Sequence, residues 1–436
     1  MEIRDPLHGQ IVLDQNYINV IENPYFQRLR NIKQLGFCQF IFPGATHTRF
    51  LHSIGVMNIS ERIFDKIFDL ESNKNNQDFI KLKHTLKLAC LLHDIGHAPL
   101  SHSTEMVMPP VSKLNLPNFY IDSKQLQATH EDYTIKTIID SSMTEDLSPF
   151  FNKYGVPPTR VADVILGRTN DDNYFTINGI NYFPILNQLV SSELDCDRMD
   201  YLLRDSYFCG VSYGQYDIDW LMDNLKICEE NQYAYLGVNQ RSISTFDDFL
   251  LSRFHMFIMV YFHYKAVCLE QMLFKGLKSE PDLYEIPANI EEYIYHDDNF
   301  LLQKLTKSRG KWIKRLMSMD IPVKAFEVFG NNSNEINFLE QLKEYLSHSD
   351  IDYIYCSSAG RLSKYYDLES KEKTSFPIKA FTEHKIFTGL NHSQNIDKAT
   401  DLYNKYSQTH QVHRIHFDYD QLDNQAKNDI LNIMKL

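Results

Sequence analysis

The 436-residue sequence predicts a mainly α-helical fold: a helical core over residues 1–285 and a smaller C-terminal α+β region over 286–436. Apolar residues recur every three or four positions over 56–70, 82–94, 185–203 and 246–273, the period of a helix with one buried face. After about residue 285, short β-prone runs at 323–329, 351–357, 379–389 and 413–419 alternate with polar helical stretches. Hydrophobic residues make up 43% and aromatics 13%, enough for a large core and incompatible with disorder as the dominant state.

In chain order, the 82–94 helix carries Leu86, Cys90 and His93 on one face, and His97 extends that face. The proline-punctuated stretch 108–117 reads as a loop, as does 167–184. Within the second, Asn178-Gly179 between apolar runs predicts a hairpin. The 246–267 helix places Arg253, Phe257, Tyr261 and Lys265 every four residues, one polar-aromatic stripe on an apolar rod.

Forty-four basic against 57 acidic residues give a net charge of −13. That argues against a general polyanion binder, whose footprint is a basic surface, but not against a small anion held by a few arginines. The densest basic run, 304–315, reads as a solvated helix face rather than a nucleic-acid contact. The seven cysteines are scattered and contain no CxxC, so reduced thiols are expected, with no zinc ribbon and no disulfide framework. No secretory leader is expected at the N-terminus, and the strongest apolar run, 254–264, is far short of the ~20 residues of a bilayer span. A cytoplasmic protein without membrane attachment is the expectation.

The chemistry concentrates in KHTLKLACLLHDIGHAPLSH (83–102). His93 and Asp94 close an apolar helix and should face inward, where unpartnered polar groups cost several kcal/mol and a bound cation would remove that cost. Gly96 points to a helix end or a close approach. Arg49 and His52 lie one helical turn apart, and Asp197, Tyr201 and Asp205 share a face of a third helix. Two histidines, one or two aspartates and open coordination positions suit a divalent metal that activates water. A second His-Asp at 296–297 sits in a polar stretch and gives no reason to assign chemistry. His130-Glu131 lacks the second histidine of HExxH, which excludes a zincin.

The order His52, His93-Asp94, Asp197 resembles the ligand set of the HD phosphohydrolase superfamily. DPLHG (5–9), NPYFQRLRNIKQLG (23–36), FPGATHTRFLHSIGV (42–56), HDIGHAPLSH (93–102), THE (129–131) and DCDRMDYLLRD (195–205) occur in that order along the chain. Together they resemble the HD-domain deoxynucleoside triphosphate (dNTP) triphosphohydrolases, over roughly residues 3–275.

The resemblance implies one divalent metal (Mn, Fe, Mg or Zn) on His52, His93, Asp94 and Asp197, with His102, Glu105 and His130 as proton-transfer groups. It implies that Arg49, His97, Arg198 and Arg253 hold the triphosphate, and that Gln34, Leu35, Tyr201, Asp205 and Tyr261 shape the sugar and base pocket. Arg198 stands where relatives have lysine, Glu105 where the SAM-containing relatives have aspartate, and Phe257 where they have histidine. Glu22, Gln27 and Arg30 match positions that grip an activating nucleotide, with Lys324 a looser match downstream. Dimers or tetramers of the chain are implied too. The rival expectations are another HD-type phosphohydrolase (acting on a nucleoside monophosphate, a cyclic nucleotide or a nucleic-acid end) and a catalytically silent nucleotide-sensing module.

Overall fold

Asp5 Oδ1 accepts from the backbone N–H groups of Leu7 (2.8 Å) and His8 (3.0 Å). This turn, with Gly9 at φ 69°, folds β1 (Glu2–Asp5) back on β2 (Gly9–Val12) as an antiparallel pair. The computed structural model describes residues 1–68, 75–122, 124–330, 333–361, 376–383, 392–400, 402 and 409–433.

The core is helical. Helix α1 (Arg49–Ile67) and helix α2 (Gln77–Leu92) pack together, the second opened by Asn76, whose side chain accepts from Asp78 N. Helix α3 (His130–Ile139) begins with a Thr129/Asp132 capping box, a local device worth about 1 kcal/mol. Helix α4 (Phe183–Val190) is buried along its whole length. Helix α5 (Cys196–Cys209) lies against α1 at Gly55, where an added Cβ would stand 2.1 Å from Asp200 Oδ1. Helices α6 (Ile243–Met256) and α7 (Tyr264–Ser279) complete the frame around the site.

Two expected helices are interrupted. The 185–203 stretch is α4 and α5 separated by 191–195, because Asp195 caps α5 by accepting from Arg198 N (2.7 Å) and also accepts from Ser192 N (2.9 Å). The 246–273 stretch passes through a π-helical turn at Phe257–Tyr261 before His263 caps α7, so the stripe from Arg253 to Lys265 is not continuous. The extra residue of a π-turn rotates the downstream helix about its axis; Phe257 and Tyr261 reach the cavity while Lys265 is exposed. Similarly, α2 ends at Leu92, so His97 reaches the site through a turn rather than along the helix face.

Asn178 and Gly179, both at positive φ, join β3 (Thr176–Ile177) to β4 (Ile180–Asn181) as the expected hairpin. With β5 (Leu225–Glu230), β6 (Tyr233–Asn239), β9 (Lys379–Thr382) and β10 (His392–Asn395) they form one sheet, ordered β10-β9-β6-β4-β3, with β5 also on β6. The C-terminal region therefore contributes two strands to a sheet begun much earlier, and β9 pairs parallel to β6. Its own three-stranded sheet runs β7 (Lys324–Phe329), β11 (Thr409–Phe417), β8 (Tyr353–Arg361). One face of this sheet packs Val328, Ile415 and Phe417 on helix α8 (Ser333–His348) in a separate small core. Residues 69–70 of the first expected helix and 384–389 of the third expected strand lie outside the described residues.

The architecture is mainly α, a helical core with a smaller sheet-containing C-terminal region. In the basic run 304–315, Lys311 pairs with Asp352, and Arg315 pairs with Asp418 (2.7 Å) and Asp320. No helix among the described residues is long and apolar enough to cross a membrane.

Candidate active site

His52 stands in the first turn of α1, fully buried, with Nδ1 2.8 Å from Asp200 Oδ2 and Nε2 2.9 Å from Asp197 Oδ1. Burial alone would depress its imidazole, but the two carboxylates carry it up to about 9. His93 caps the C-terminus of α2 and donates from Nδ1 to the Cys90 carbonyl (2.8 Å). Its Nε2 is buried without a hydrogen-bond partner, 3.4 Å from Asp94 Oδ1 and 3.5 Å from Asp197 Oδ1. Against the effect of burial, Asp94 and Asp197 raise His93 to about 10. Asp94 also meets Arg49 (2.5 Å) and His97 (3.1 Å), and these cations and imidazoles hold its carboxyl well below the usual range despite its burial.

These donors fit a divalent cation. An imidazole nitrogen with no partner faces two carboxylates, and two nitrogens with two carboxylates is a donor set for a first-row metal. His52, His93 and Asp94 bring their ligand atoms within 4.8 Å of one another, and Asp197 adjoins both histidines. The protons that the carboxylates hold on the imidazoles are what a cation would displace.

A cavity of ≈450 Å³ opens from this corner. Of the residues expected in the site, Gln34, Leu35, Arg49, His93, Asp94, His97, His102, His130, Asp197, Arg198, Tyr201, Asp205 and Tyr261 line it. His52 and Glu105 stand behind the wall: Glu105 Oε1 accepts from His102 Nδ1 (3.0 Å) and from His130 Nδ1. Those two histidines hold Glu105 far below the usual carboxylate range despite partial burial, so it stays an acceptor. The rings of His97 and His130 stack at 4.0 Å. His97, His102, Glu105 and His130 also converge closely enough to ligate an ion, but Glu105 already engages two of these imidazoles.

Arg253 does not line the cavity; its Nη1 is 3.0 Å from Glu193 Oε2, both buried. Arg198 lines it while bonded to Asp195 (3.0 Å). Glu22 and Arg30 lie on the surface away from the cavity, with Arg30 bonded to Gln27 Oε1 (2.7 Å) and stacked over Phe50 (3.6 Å).

Several residues of the site were not anticipated. Asp200 orients His52 and is itself fixed by His8 (2.6 Å) and Arg204 (2.7 and 2.8 Å), and Arg204 pairs with Asp5 (2.9 Å). Asp205 is held by His47 (2.8 Å) and Tyr261 (2.7 Å). Glu270 lines the cavity and accepts from Ser103 (3.2 Å); burial raises its carboxyl to about 7. Leu100 and Ser101 adopt left-handed φ of 56° and 59°, and Asp298 accepts from Leu100 N (2.6 Å) and Lys33 N (2.9 Å). The polar stretch around 296–298 thus buttresses the site: Arg28 bridges the His296 carbonyl (2.9 Å) to that of His97 (2.7 Å).

Residues 49–139 match the HD domain family. The chain is 29% identical over 438 residues to an uncharacterized protein of Mycoplasma genitalium, covering 92% of this chain and 95% of that one. It is 29% identical to the uncharacterized protein YwfO of Bacillus subtilis, over 87% of this chain and 84% of YwfO. The human deoxynucleoside triphosphate triphosphohydrolase SAMHD1 is 25% identical over 71% of this chain, which spans 51% of that protein's length. The crystal structure of a hypothetical protein from Aquifex aeolicus matches 99% of both chains with a TM-score of 0.72 and 25% identity. All the expected ligands but Asp197, and all three expected proton-transfer residues, fall inside the matched segment: residues 49–139 form an HD domain, and the chain is similar to the dNTP triphosphohydrolase SAMHD1 over part of that protein's length.

Proposed function

We propose that this protein hydrolyses dNTPs to a deoxynucleoside and inorganic tripolyphosphate, using one divalent metal on His52, His93, Asp94 and Asp197. The observation that carries this reading is the unpartnered His93 Nε2, facing Asp94 and Asp197 at the end of a cavity lined by Arg49 and Arg198. Manganese, iron, magnesium or zinc bound there would supply positive charge beside the α-phosphate and lower the pKa of water. Arg49, Arg198 and His97 would bind phosphate oxygens, with preorganised donors worth more inside a closed pocket than in water. Arg253 joins them only by exchanging its contact with Glu193.

Water attacks the α-phosphorus, forming one P–O bond as the bond to the 5′ oxygen breaks. That oxygen takes a proton from the His102/His130 pair, whose Nδ1 atoms are fixed by Glu105. Tyr201, Tyr261 and Asp205 would bound the sugar, and Gln34 and Leu35 the base. Gln34 Oε1 is buried without a hydrogen-bond partner, a group suited to reading a donor edge.

The chemistry belongs to residues 1–285 in this reading, since the cavity lining ends at Glu270. The exposed Arg30, with Gln27 and Glu22, is the proposed grip for an activating nucleotide between copies of the chain in a homodimer or homotetramer. The test is incubation with each dNTP, alone and mixed, with Mn²⁺, Mg²⁺ or Fe²⁺, and separation of the products. Intact tripolyphosphate with free deoxynucleoside is expected, and none from a His93→Ala/Asp94→Ala variant. Release of pyrophosphate or orthophosphate alone would replace this reading with another HD-type hydrolysis.

A further inference from the structure

A second group with metal-ligand chemistry lies outside the cavity: Cys268, Cys356 and His416, each 0% exposed. They come from three distant segments, Cys268 from α7, Cys356 from β8 and His416 from β11. The register pairs Cys356 with Arg414 and Ile354 with His416, so Cys356 and His416 are diagonal neighbours on one face of the sheet. Ile415 and Phe417, one residue out of phase with His416, point into the small core on the other face. Both sulfurs and a ring nitrogen of His416 lie within 4.8 Å of one another.

His416 gives the independent sign of a ligand. Its Nδ1 donates to the Pro322 carbonyl (3.3 Å), which leaves Nε2 as a bare lone pair. That Nε2 is buried with no hydrogen-bond partner. A buried nitrogen left this way is unfavourable in an apolar core, and a carbonyl on the far nitrogen is how metal-ligating imidazoles are commonly oriented. Stacking with Tyr264 at 6.2 Å also fixes the ring. The nearby Arg414 is ion-paired with Glu327, so its charge is already compensated.

We propose that Cys268, Cys356 and His416 bind a soft, thiolate-seeking cation, zinc first, that ties the C-terminal sheet to α7 of the helical core. Two thiolates neutralise a divalent ion, and sulfur donors select zinc or copper(I) over the harder cations suited to carboxylates. The site sits behind the active site, since Glu270 on the same helix lines the cavity.

The test uses the full-length chain carrying His93→Ala, purified under reducing conditions, stripped of metal and titrated with Co²⁺. The proposed HD ligands include no cysteine, and the serine variants distinguish a sulfur-to-cobalt charge-transfer band of this cluster in the near ultraviolet from one of Cys38, which lines the cavity. A stoichiometric band is expected, bleached by added zinc, absent in Cys356→Ser and in Cys268→Ser, and weakened in His416→Ala. Thermal melting of the stripped protein should rise on adding zinc, a readout that needs no cysteine variant. No band with titratable thiols, a band unchanged in both serine variants, or no melting shift with zinc overturns the site. So does an intact mass lacking two hydrogens with a Cys268–Cys356 cross-linked peptide, which identifies a disulfide instead.

Discussion

Asp200 lies 2.8 Å from Nδ1 of His52 and decides which nitrogen of that ring can face a cation. A proton held on Nδ1 leaves Nε2 for the metal, and the carboxylate raises the basicity of the ligand. Asp200 in turn is braced by His8 and Arg204, and Arg204 by Asp5, so the motif at residues 5–9 acts through two further layers of contact. Asp200→Asn keeps the shape and removes the charge. Metal affinity at the HD site should fall by about 10–100-fold, the usual cost of losing such a partner. Metal titration of the purified variant checks it, and unchanged affinity would refute the role.

Gly96 predicts a steric failure. An added Cβ would stand 2.2 Å from the His130 carbonyl oxygen and 2.2 Å from Thr134 N, both backbone atoms that cannot swing aside. Gly96→Ala must push α3, and His130 with it, away from the turn after His93. A loss of about 2 kcal/mol in unfolding free energy is expected, within the usual range for overpacking. Turnover per folded molecule should also drop, because His130 and His93 sit on opposite sides of that contact. Denaturant unfolding and steady-state rates on the same preparation separate the two effects.

Much of the candidate site's grouping was legible, and for a physical reason. His93-Asp94 at the end of an apolar helix had to face inward, and Arg49 and His52, one turn apart, both approach Asp94, although only Arg49 of the two lines the cavity. What periodicity could not reveal was which aspartate of DCDRMDYLLRD points where: Asp197 and Asp205 line the cavity, while Asp200 points behind it to His52. The helix breaks at 191–195 and 257–263 come from one Asp cap and one π-turn, local events inside otherwise helical text. Other relationships join residues far apart in the chain, as in the parallel β6–β9 pair, the Asp298–Leu100 contact and the Cys268–Cys356–His416 cluster. One sequence states no such pairing.

Asp298 offers a test of how a remote segment shapes the site. It accepts from Leu100 N, in the turn where Leu100 and Ser101 are left-handed, and from Lys33 N, in the separate segment whose Lys33 carbonyl accepts from Ser101 Oγ (2.7 Å). Ser101 Oγ in turn accepts from Arg49 Nε (2.9 Å). Asp298→Ala leaves two backbone donors without their acceptor, at about 1–3 kcal/mol each where buried. The turn should relax and Arg49 lose its support, raising KM for the nucleotide more than a simple loss of stability explains. Asp297→Ala is the control: it removes only the helix cap on Phe300 N (2.9 Å) and should cost about 1 kcal/mol without changing KM.

Stability should fall on mild acidification, and His84 is a principal cause. Its ring is packed against Tyr154 with centroids 3.6 Å apart, and Nδ1 meets the Tyr17 hydroxyl at 2.8 Å. Burial, aided by Lys87, lowers the imidazole from its ordinary 6.5 to about 4. Between those values the unfolded chain binds a proton that the folded protein refuses, so stability rises with pH across the window. His84's contribution is therefore complete above about pH 6.5 and is lost as pH falls through about 4. The shift corresponds to at most ~3 kcal/mol, reduced by whatever solvent reaches the ring. His84→Phe keeps an aromatic ring but cannot charge, so its unfolding free energy should depend less steeply on pH between 4 and 6.5. Equal slopes for the two proteins would assign the acid sensitivity elsewhere, with His296, also lowered to about 4 by burial, the next group to replace.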